Sequence, residues 1–177
     1  MSSIKIRKIS ITDLDTDAIV NAANSSLLMG GGVCGAIFRA AGAMRLQAAC
    51  NKIGGCRTGD AVITPGFDLK AKYVIHAVGP VWHGGHKGEP EDLYSAYARS
   101  LAVAKDNGLH SIAFPLISAG IYGYPLNDAW NVALTSCRDF TEANKDYDID
   151  IIFAVLDEGI MNTGLKTMTV LNITDTM

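Results

Sequence analysis

Asn24 and the glycine loop behind it are the residues of this chain whose types and spacing best suit chemistry. The loop contains three consecutive glycines, Gly30–Gly32, between the apolar run Ala18–Ala22 and a helical pattern that begins at Val33. Glycine allows positive φ, which can turn backbone N–H groups toward an anion. The start of the helix adds unpaired N–H groups and the positive end of its dipole. The pattern therefore indicates a phosphate site, and a tight turn built for packing is the alternative.

A second loop of the same kind, Ser118–Pro125, follows the apolar run Ile112–Ile117. If the two runs are neighbouring parallel strands, both loops open at the edge of the sheet where ligands bind in such folds. The sequence contains no P-loop lysine motif, and no GxGxxG comes immediately after the apolar run, where the dinucleotide fingerprint requires it. Two backbone cradles without a dedicated cation are therefore predicted to hold a diphosphate between them.

Alternating strands and helices are predicted to position these loops. The expected strands are Ile4–Ile6, Ala18–Ala22, Asp60–Thr64, Tyr73–Val78, Ile112–Ile117 and Ile149–Leu156. The expected helices are Val33–Lys52, Pro90–Asn107 and Asp128–Asn144, with a short turn at Thr12 and Asp13 and a slight preference for helix in Met161–Met177. This alternation predicts an α/β chain: one domain over residues 1–177, folded as a three-layer α/β/α sandwich with a mixed central sheet.

Composition limits the function classes. The chain has 177 residues, 49% of them hydrophobic, and a net charge of -3, which suits one domain with a real core and disfavours nucleic acid as a partner. No apolar run reaches the length of a membrane span, and no signal peptide is recognisable, so a cytoplasmic setting with four free thiols is expected. His83 and His86 lack a third ligand in a segment expected to be mobile, so no metal and no cofactor are predicted.

Four motifs occur in an order and at spacings that resemble the macrodomain family. They are VNAANSSLLMGGGVCGAIFRAAG, RTGDAVITPG, HAVGPVW and LISAGIYGYP. The chain looks most like the MacroD-type branch, which includes bacterial O-acetyl-ADP-ribose deacetylases, and the similarity covers Ile4 to Glu158.

The resemblance implies an ADP-ribose cleft, with ADP-ribose or an ADP-ribosylated protein or small molecule as the partner. Asn24 would hydrogen-bond the distal ribose, and Tyr122 would lie against it; these two would be the surviving catalytic residues. The diphosphate would be held from one side by Gly31, Gly32 and Val33, and from the other by Ser118, Ala119, Gly120, Ile121 and Tyr122. Ser10, Ile11 and Leu156 would contact the adenine.

The sequence departs from the family pattern at both of its diagnostic carboxylates. Cys34 stands where the family has its catalytic aspartate, and Phe38 replaces a frequent histidine one helical turn later. Ser10 replaces the aspartate that accepts the adenine amino group, and Leu156 replaces an aromatic residue. Loss of a charged hydrogen bond costs about 1.5–3 kcal/mol, and loss of a general base typically costs about 10²–10⁴ in rate. Weaker binding and much weaker hydrolysis are expected.

Several residues have a structural interpretation beside a functional one. Cys34 is interpreted as a small filler rather than a replacement nucleophile, and the other cysteines as core thiols. His76 is expected to be a satisfied core histidine. Asn21 is expected to tie the loop down through local backbone hydrogen bonds, and Tyr124 to serve in packing.

Three functions follow, in decreasing order of support. The first is a module that binds ADP-ribose with little turnover. The second is a hydrolase that removes acetyl or protein acyl groups from the distal ribose, using water that the ligand's own phosphate activates. The third is an interaction domain that has kept the fold and abandoned the cleft.

Overall fold

A computed structural model describes residues 1–175 of the chain, in which strands and helices alternate. The strands are β1 (Ser3–Lys8), β2 (Ala18–Ala23), β3 (Ala61–Pro65), β4 (Tyr73–Val78), β5 (Ser111–Phe114) and β6 (Asp150–Val155). The α-helices are α1 (Gly32–Ala41), α2 (Ala43–Ile53), α3 (Glu89–Asp106), α4 (Leu126–Ala143) and α5 (Glu158–Val170), and a short 3-10 helix spans Ile11–Asp13. No helix within residues 1–175 has the length and apolar character needed to cross a membrane.

The six strands form one mixed sheet in the order β1-β6-β5-β2-β4-β3. All neighbouring pairs are parallel except β3 with β4. Ala18 and Ile19 of β2 pair with Ile112 and Ala113 of β5, which confirms that the two strands before the glycine loops are parallel neighbours. Both loops consequently leave the sheet at the same edge.

Helices cover both faces of the sheet, as the predicted three-layer sandwich requires. One core packs α1 and α2 against the sheet through residues such as Ile37, Phe38 and Leu46. The other core packs α3, α4 and α5 against the opposite face and includes Tyr97 and Trp130. The interior strands are mostly apolar because both of their faces are buried, and Asn21 and His76 are buried polar exceptions in β2 and β4.

The predicted single helix Val33–Lys52 is wrong, because the chain breaks at Gly42. Gly42 has φ +102° and ψ 95°, a conformation that no helix contains and that residues other than glycine rarely adopt. The Gly42 N–H still donates to the Phe38 carbonyl at 3.1 Å and closes the last turn of α1. Met44, inside the predicted helix, lies after the break and is 88% exposed.

The strand β5 ends at Phe114, three residues before the predicted end. Pro115 has no N–H to donate to a neighbouring strand, so the ladder cannot continue through it. The Tyr97 hydroxyl takes over, because it accepts a hydrogen bond from the Ile117 N–H at 2.8 Å and donates to the Pro115 carbonyl at 3.4 Å. Tyr97 of α3 therefore holds the backbone that leads into the second loop.

The tail forms a helix, as the sequence slightly favoured, but the helix begins earlier and ends at Val170. Asp157 caps its first turn by accepting a hydrogen bond from the Ile160 N–H at 2.9 Å. The last two residues of the predicted tail helix, 176 and 177, lie outside the described residues.

Candidate functional site

The first loop is held in shape by amide side chains. Both polar atoms of the Asn24 side chain bond the backbone of Leu28: Nδ2 donates to its carbonyl at 2.8 Å, and Oδ1 accepts from its N–H at 3.0 Å. Gln47 of α2 accepts from the Met29 N–H at 2.9 Å and donates to the Leu27 carbonyl at 3.0 Å. Asn24 therefore shapes the loop in addition to the predicted ribose contact, and Gln47 is a supporting residue that the sequence did not reveal.

Past these anchors, the loop presents backbone donors to solvent. Gly31 caps α1 without any side-chain hydrogen bond, and Gly32 has φ +57°. In the part of the chain that the structure describes, the N–H groups of Gly31, Gly32 and Val33 have no acceptor. Gly31 and Gly32 are exposed. Three free donors at the start of a helix form a site for an anion.

Cys34 faces the loop backbone rather than open solvent. It is 6% exposed, its Sγ accepts from the Gly30 N–H at 3.4 Å, and the thiol makes a long contact of 3.9 Å with the Leu28 carbonyl. The side chain thus fills the space under the loop and helps to hold Gly30. This placement agrees with the interpretation of Cys34 as a filler.

The second loop is a strained turn that also leaves donors free. Ser118 has φ +67°, which is rare for a residue with a side chain and indicates strain of about 1–3 kcal/mol. The turn is closed by hydrogen bonds from Tyr124 N–H to the Ser118 carbonyl and from Gly123 N–H to the Gly120 carbonyl, at 2.9 and 3.0 Å. Within residues 1–175, the N–H groups of Gly120, Ile121 and Tyr122 have no acceptor.

The Ser118 hydroxyl lies at the base of this turn without a partner. Ser118 is 6% exposed, and its Oγ makes no hydrogen bond among the described residues. A Cβ at Gly79, which follows β4, would collide with this hydroxyl and with Ile117. Gly79 therefore allows the end of β4 to approach the second loop. A buried hydroxyl without a partner costs free energy that a ligand oxygen could recover.

The segment between β4 and α3 supports the second loop. The Trp82 N–H donates to the Tyr122 carbonyl at 2.8 Å, and the Trp82 ring packs on Tyr124 with centroids 4.7 Å apart. The buried carboxylate of Glu89 accepts from the N–H groups of His83, Gly85 and Lys87 at 2.6–2.9 Å. The segment expected to be mobile is thus bonded to the start of α3.

Glu89 is charged in this position. Burial alone would raise the pKa of its carboxyl, but the backbone N–H donors around it outweigh burial and lower the pKa to about 2. The carboxylate is therefore ionised at neutral pH, and its charge strengthens the hydrogen bonds to the segment.

Three residues predicted at the adenine lie at the far end of the same sheet edge. Ser10 and Leu156 follow the neighbouring strands β1 and β6, and the Ile9 N–H donates to the Val155 carbonyl at 3.0 Å. The Ser10 hydroxyl is bonded to that of Thr12 at 2.9 Å, and Leu156 is 73% exposed. The Ile11 side chain is 4% exposed and belongs to the core, so only its backbone could meet a ligand.

A buried polar contact joins the neighbouring strands β2, β4 and β3. His76 is fully buried, with Nδ1 3.1 Å from Asn21 Nδ2 and Nε2 3.0 Å from Thr64 Oγ1. Burial lowers the pKa of His76 from 6.5 to about 4, so the ring is neutral. His76 is the expected core histidine, but the expectation for Asn21 was wrong, since its partner is this ring rather than the local backbone.

The remaining cysteines differ in environment. All four are free, and Cys50 and Cys137 are core thiols as expected, whereas Cys56 is only half-buried. Within residues 1–175, no group of three or more His, Cys, Asp or Glu side chains is arranged to hold a metal ion.

Comparisons with known proteins identify the family. The model of the Macro domain family matches residues 20–133. A Macro domain-containing protein of Chlorobaculum tepidum is 58% identical over 161 residues, covering 91% of this chain and 92% of that protein. The ADP-ribose glycohydrolase MACROD2 of Xenopus laevis is 53% identical over 152 residues, covering 84% of this chain and 35% of its own length. This chain belongs to the Macro domain family, and the similarity to MACROD2 agrees with the MacroD-type branch.

Solved structures share the fold closely. The Oceanobacillus iheyensis macrodomain with ADP superposes with a TM-score of 0.89 at 36% identity, over 94% of this chain and 90% of that one. The Trypanosoma brucei macrodomain in complex with ADP-ribose gives a TM-score of 0.86 at 42% identity, over 92% of this chain and 68% of that one. The first of these structures contains ADP, and the second contains ADP-ribose.

Proposed function

We propose that this protein binds ADP-ribose, free or attached to another molecule, between its two glycine loops. One observation carries the proposal: each loop has a set of backbone N–H groups without an acceptor among residues 1–175, and the two sets lie at the same edge of the sheet. Neither Gly30–Val33 nor Ser118–Gly123 contains a lysine or arginine. The diphosphate charge would therefore be met by backbone dipoles and by the start of α1.

The sheet order supports one orientation of the ligand. Ser10 and Leu156 follow β1 and β6, the second loop follows β5, and the first loop with Asn24 follows β2. An extended ADP-ribose would thus run with its adenine at Ser10, its diphosphate between the loops and its distal ribose at Asn24 and Tyr122. The unpartnered Ser118 hydroxyl would donate to a phosphate oxygen.

Substitution of Gly120 tests this grip. Gly120 is exposed, does not have positive φ, and a Cβ there would meet no protein atom within 4 Å, so Gly120→Val should fold normally. Its side chain would occupy the space of the phosphate, and calorimetry should show at least about a tenfold weaker affinity for ADP-ribose, or about 1.4 kcal/mol. Ala143→Val, an exposed change at the end of α4, is the matched control. Equal affinity of Gly120→Val and wild type would contradict the proposal.

A second candidate is a hydrolase that acts on esters of ADP-ribose, which the similarity to a glycohydrolase favours. The two reactions of this kind are hydrolysis of O-acetyl-ADP-ribose, which releases acetate, and hydrolysis of an ADP-ribosyl ester on a protein, which releases the protein carboxylate. The phosphate of the ligand would take the proton of the attacking water, because Cys34 offers no carboxylate. The two hydrogen bonds between the Asn24 side chain and the Leu28 backbone would orient the amide so that it can also bond a ribose hydroxyl. Turnover would be slow.

A further inference from the structure

A cavity of about 630 Å³ opens on the surface beside the first loop. Its lining comes from one residue of the first loop, from the segment that joins α2 to β3, and from β3 itself: Ser25, Gly55, Cys56, Arg57, Thr58, Asp60 and Val62. The volume lies within the range of about 300–1,000 Å³ that ligand sites usually have. None of the residues assigned to the proposed ADP-ribose contacts lines it.

The cavity continues the path of the proposed ligand. Ser25 directly follows Asn24, and its carbonyl accepts a hydrogen bond from the Cys56 N–H at 2.9 Å. The Gly59 N–H donates to the Val78 carbonyl, at the end of β4, at 2.7 Å. Along the sheet edge, the cavity therefore lies beyond the distal-ribose end, on the β4 and β3 side, and opposite to Ser10 and Leu156.

The free charge at the cavity is positive. The Arg57 side chain is exposed and makes no ion pair or hydrogen bond with any residue in the described range 1–175. Asp60, the acidic residue of the lining, is already engaged: its Oδ1 lies 3.4 Å from Arg99 Nε and accepts from the Ala61 N–H at 2.8 Å. An unpaired guanidinium attracts a carboxylate and can bind it through two parallel hydrogen bonds.

The rest of the lining suits binding rather than covalent chemistry. Burial and then the nearby Asp60 raise the pKa of the Cys56 thiol to about 11, against a smaller opposite effect of Arg57. The thiol is therefore protonated near neutral pH and does not act as a nucleophile. Val62 adds a half-buried apolar wall, and the side chains of Ser25 and Thr58 are exposed at the rim.

We propose that this cavity binds the protein segment to which ADP-ribose is attached, with Arg57 contacting the carboxylate of an acidic residue next to the modified one. This inference rests on the proposed function, because the ADP-ribose portion must enter the cleft for the attached segment to reach the cavity. An acetyl group would leave most of the cavity empty, whereas a short peptide would fill it.

Calorimetry at low salt with three ligands tests the proposal. They are free ADP-ribose and two peptides that carry ADP-ribose through a stable amide linkage, one flanked by aspartate and the other by asparagine. Wild type should prefer the acidic peptide by about three- to fivefold, as expected for one exposed ion pair. Arg57→Glu should abolish or reverse this preference and leave the affinity for free ADP-ribose unchanged. Lys145→Glu, the same charge change beyond α4 at the opposite edge of the sheet, should keep the preference.

A second variant tests the cavity apart from its charge. Thr58→Trp should fill the space and weaken both peptides by about tenfold relative to free ADP-ribose. If neither variant alters peptide binding while free ADP-ribose binds normally, the inference is overturned and the proposed function stands. If free ADP-ribose fails to bind wild type, the proposed function fails and this inference fails with it.

Discussion

At the scale of single residues, substitution of Cys34 distinguishes a protein that only binds ADP-ribose from one that also hydrolyses its esters. Cys34 lies in the first turn of α1 against the loop backbone, where a carboxylate would be close to the free N–H groups of the loop. We predict that Cys34→Asp raises hydrolysis of O-acetyl-ADP-ribose, because a positioned general base contributes about 10²–10⁴ in rate. Single-turnover release of acetate measures the change.

The uncharged isostere Cys34→Asn is the control for this substitution. It should leave turnover at the wild-type level, since an amide cannot take a proton from water at neutral pH. A Cys34→Asp protein no faster than Cys34→Asn would show that this position does not face the reacting ribose. Asn24→Ala is less informative alone, because it also removes both hydrogen bonds to the Leu28 backbone and thus changes the shape of the loop.

Glu89 at the start of α3 acts at the scale of the element, since it organises a whole segment. Its carboxylate accepts three backbone N–H groups of 83–87, and the same segment bonds the second loop through Trp82. We predict that Glu89→Gln increases amide hydrogen exchange several-fold at His83, Gly85 and Lys87. The substitution replaces the two charged oxygens of the carboxylate with a single neutral amide oxygen, which accepts weaker hydrogen bonds. Exchange at 118–123 should rise as well, and ADP-ribose should bind more weakly.

Glu91→Gln, an exposed change on the same helix, is the reference for this effect. It should alter neither the exchange pattern nor the affinity. Faster exchange confined to 83–87, with 118–123 and ligand affinity unchanged, would mean that the segment does not brace the second loop.

Elements that depend on local sequence could be predicted, and those that depend on distant partners could not. The apolar runs before the two loops fixed β2 and β5 and hence the edge at which the loops meet. The break at Gly42 was missed because the apolar spacing continues across it. The sequence gives no signal that Gln47, Tyr97 and Glu89 support the loops. Gln47 and Tyr97 form hydrogen bonds with backbone that is distant along the chain, and Glu89 does so with a loop whose residue types follow no recognisable pattern.

At the scale of the whole molecule, the central sheet contains a buried, neutral histidine in β4. His76 in β4 links Asn21 of β2 with Thr64 of β3 and is fully buried. Its Nδ1 accepts from the Asn21 amide when its Nε2–H donates to Thr64, an arrangement that only one neutral tautomer provides. Protonation would add a charge that no acidic side chain in this contact set compensates, so the central strands are most stable while the ring is neutral.

The stability of the fold should therefore fall on mild acidification. The native pKa of His76 is depressed from 6.5 to about 4, so its contribution is fully present above pH 6.5 and is lost as the pH falls toward 4. Linkage gives a loss of about 2 kcal/mol between pH 7 and 5. Urea unfolding followed by circular dichroism across this range measures it.

His76→Gln removes the titration and is the variant that assigns the effect. It should be less stable at pH 7, because Gln cannot reproduce the ring between Asn21 and Thr64, but its unfolding free energy should change less between pH 7 and 5. The difference in slope, rather than the absolute stability, is the decisive quantity. Parallel pH profiles for wild type and His76→Gln would refute a buried neutral His76. Glu89 adds a separate loss only at lower pH, since its native pKa of about 2 lies below the usual 4.5 and its stabilisation disappears as the pH falls between those values.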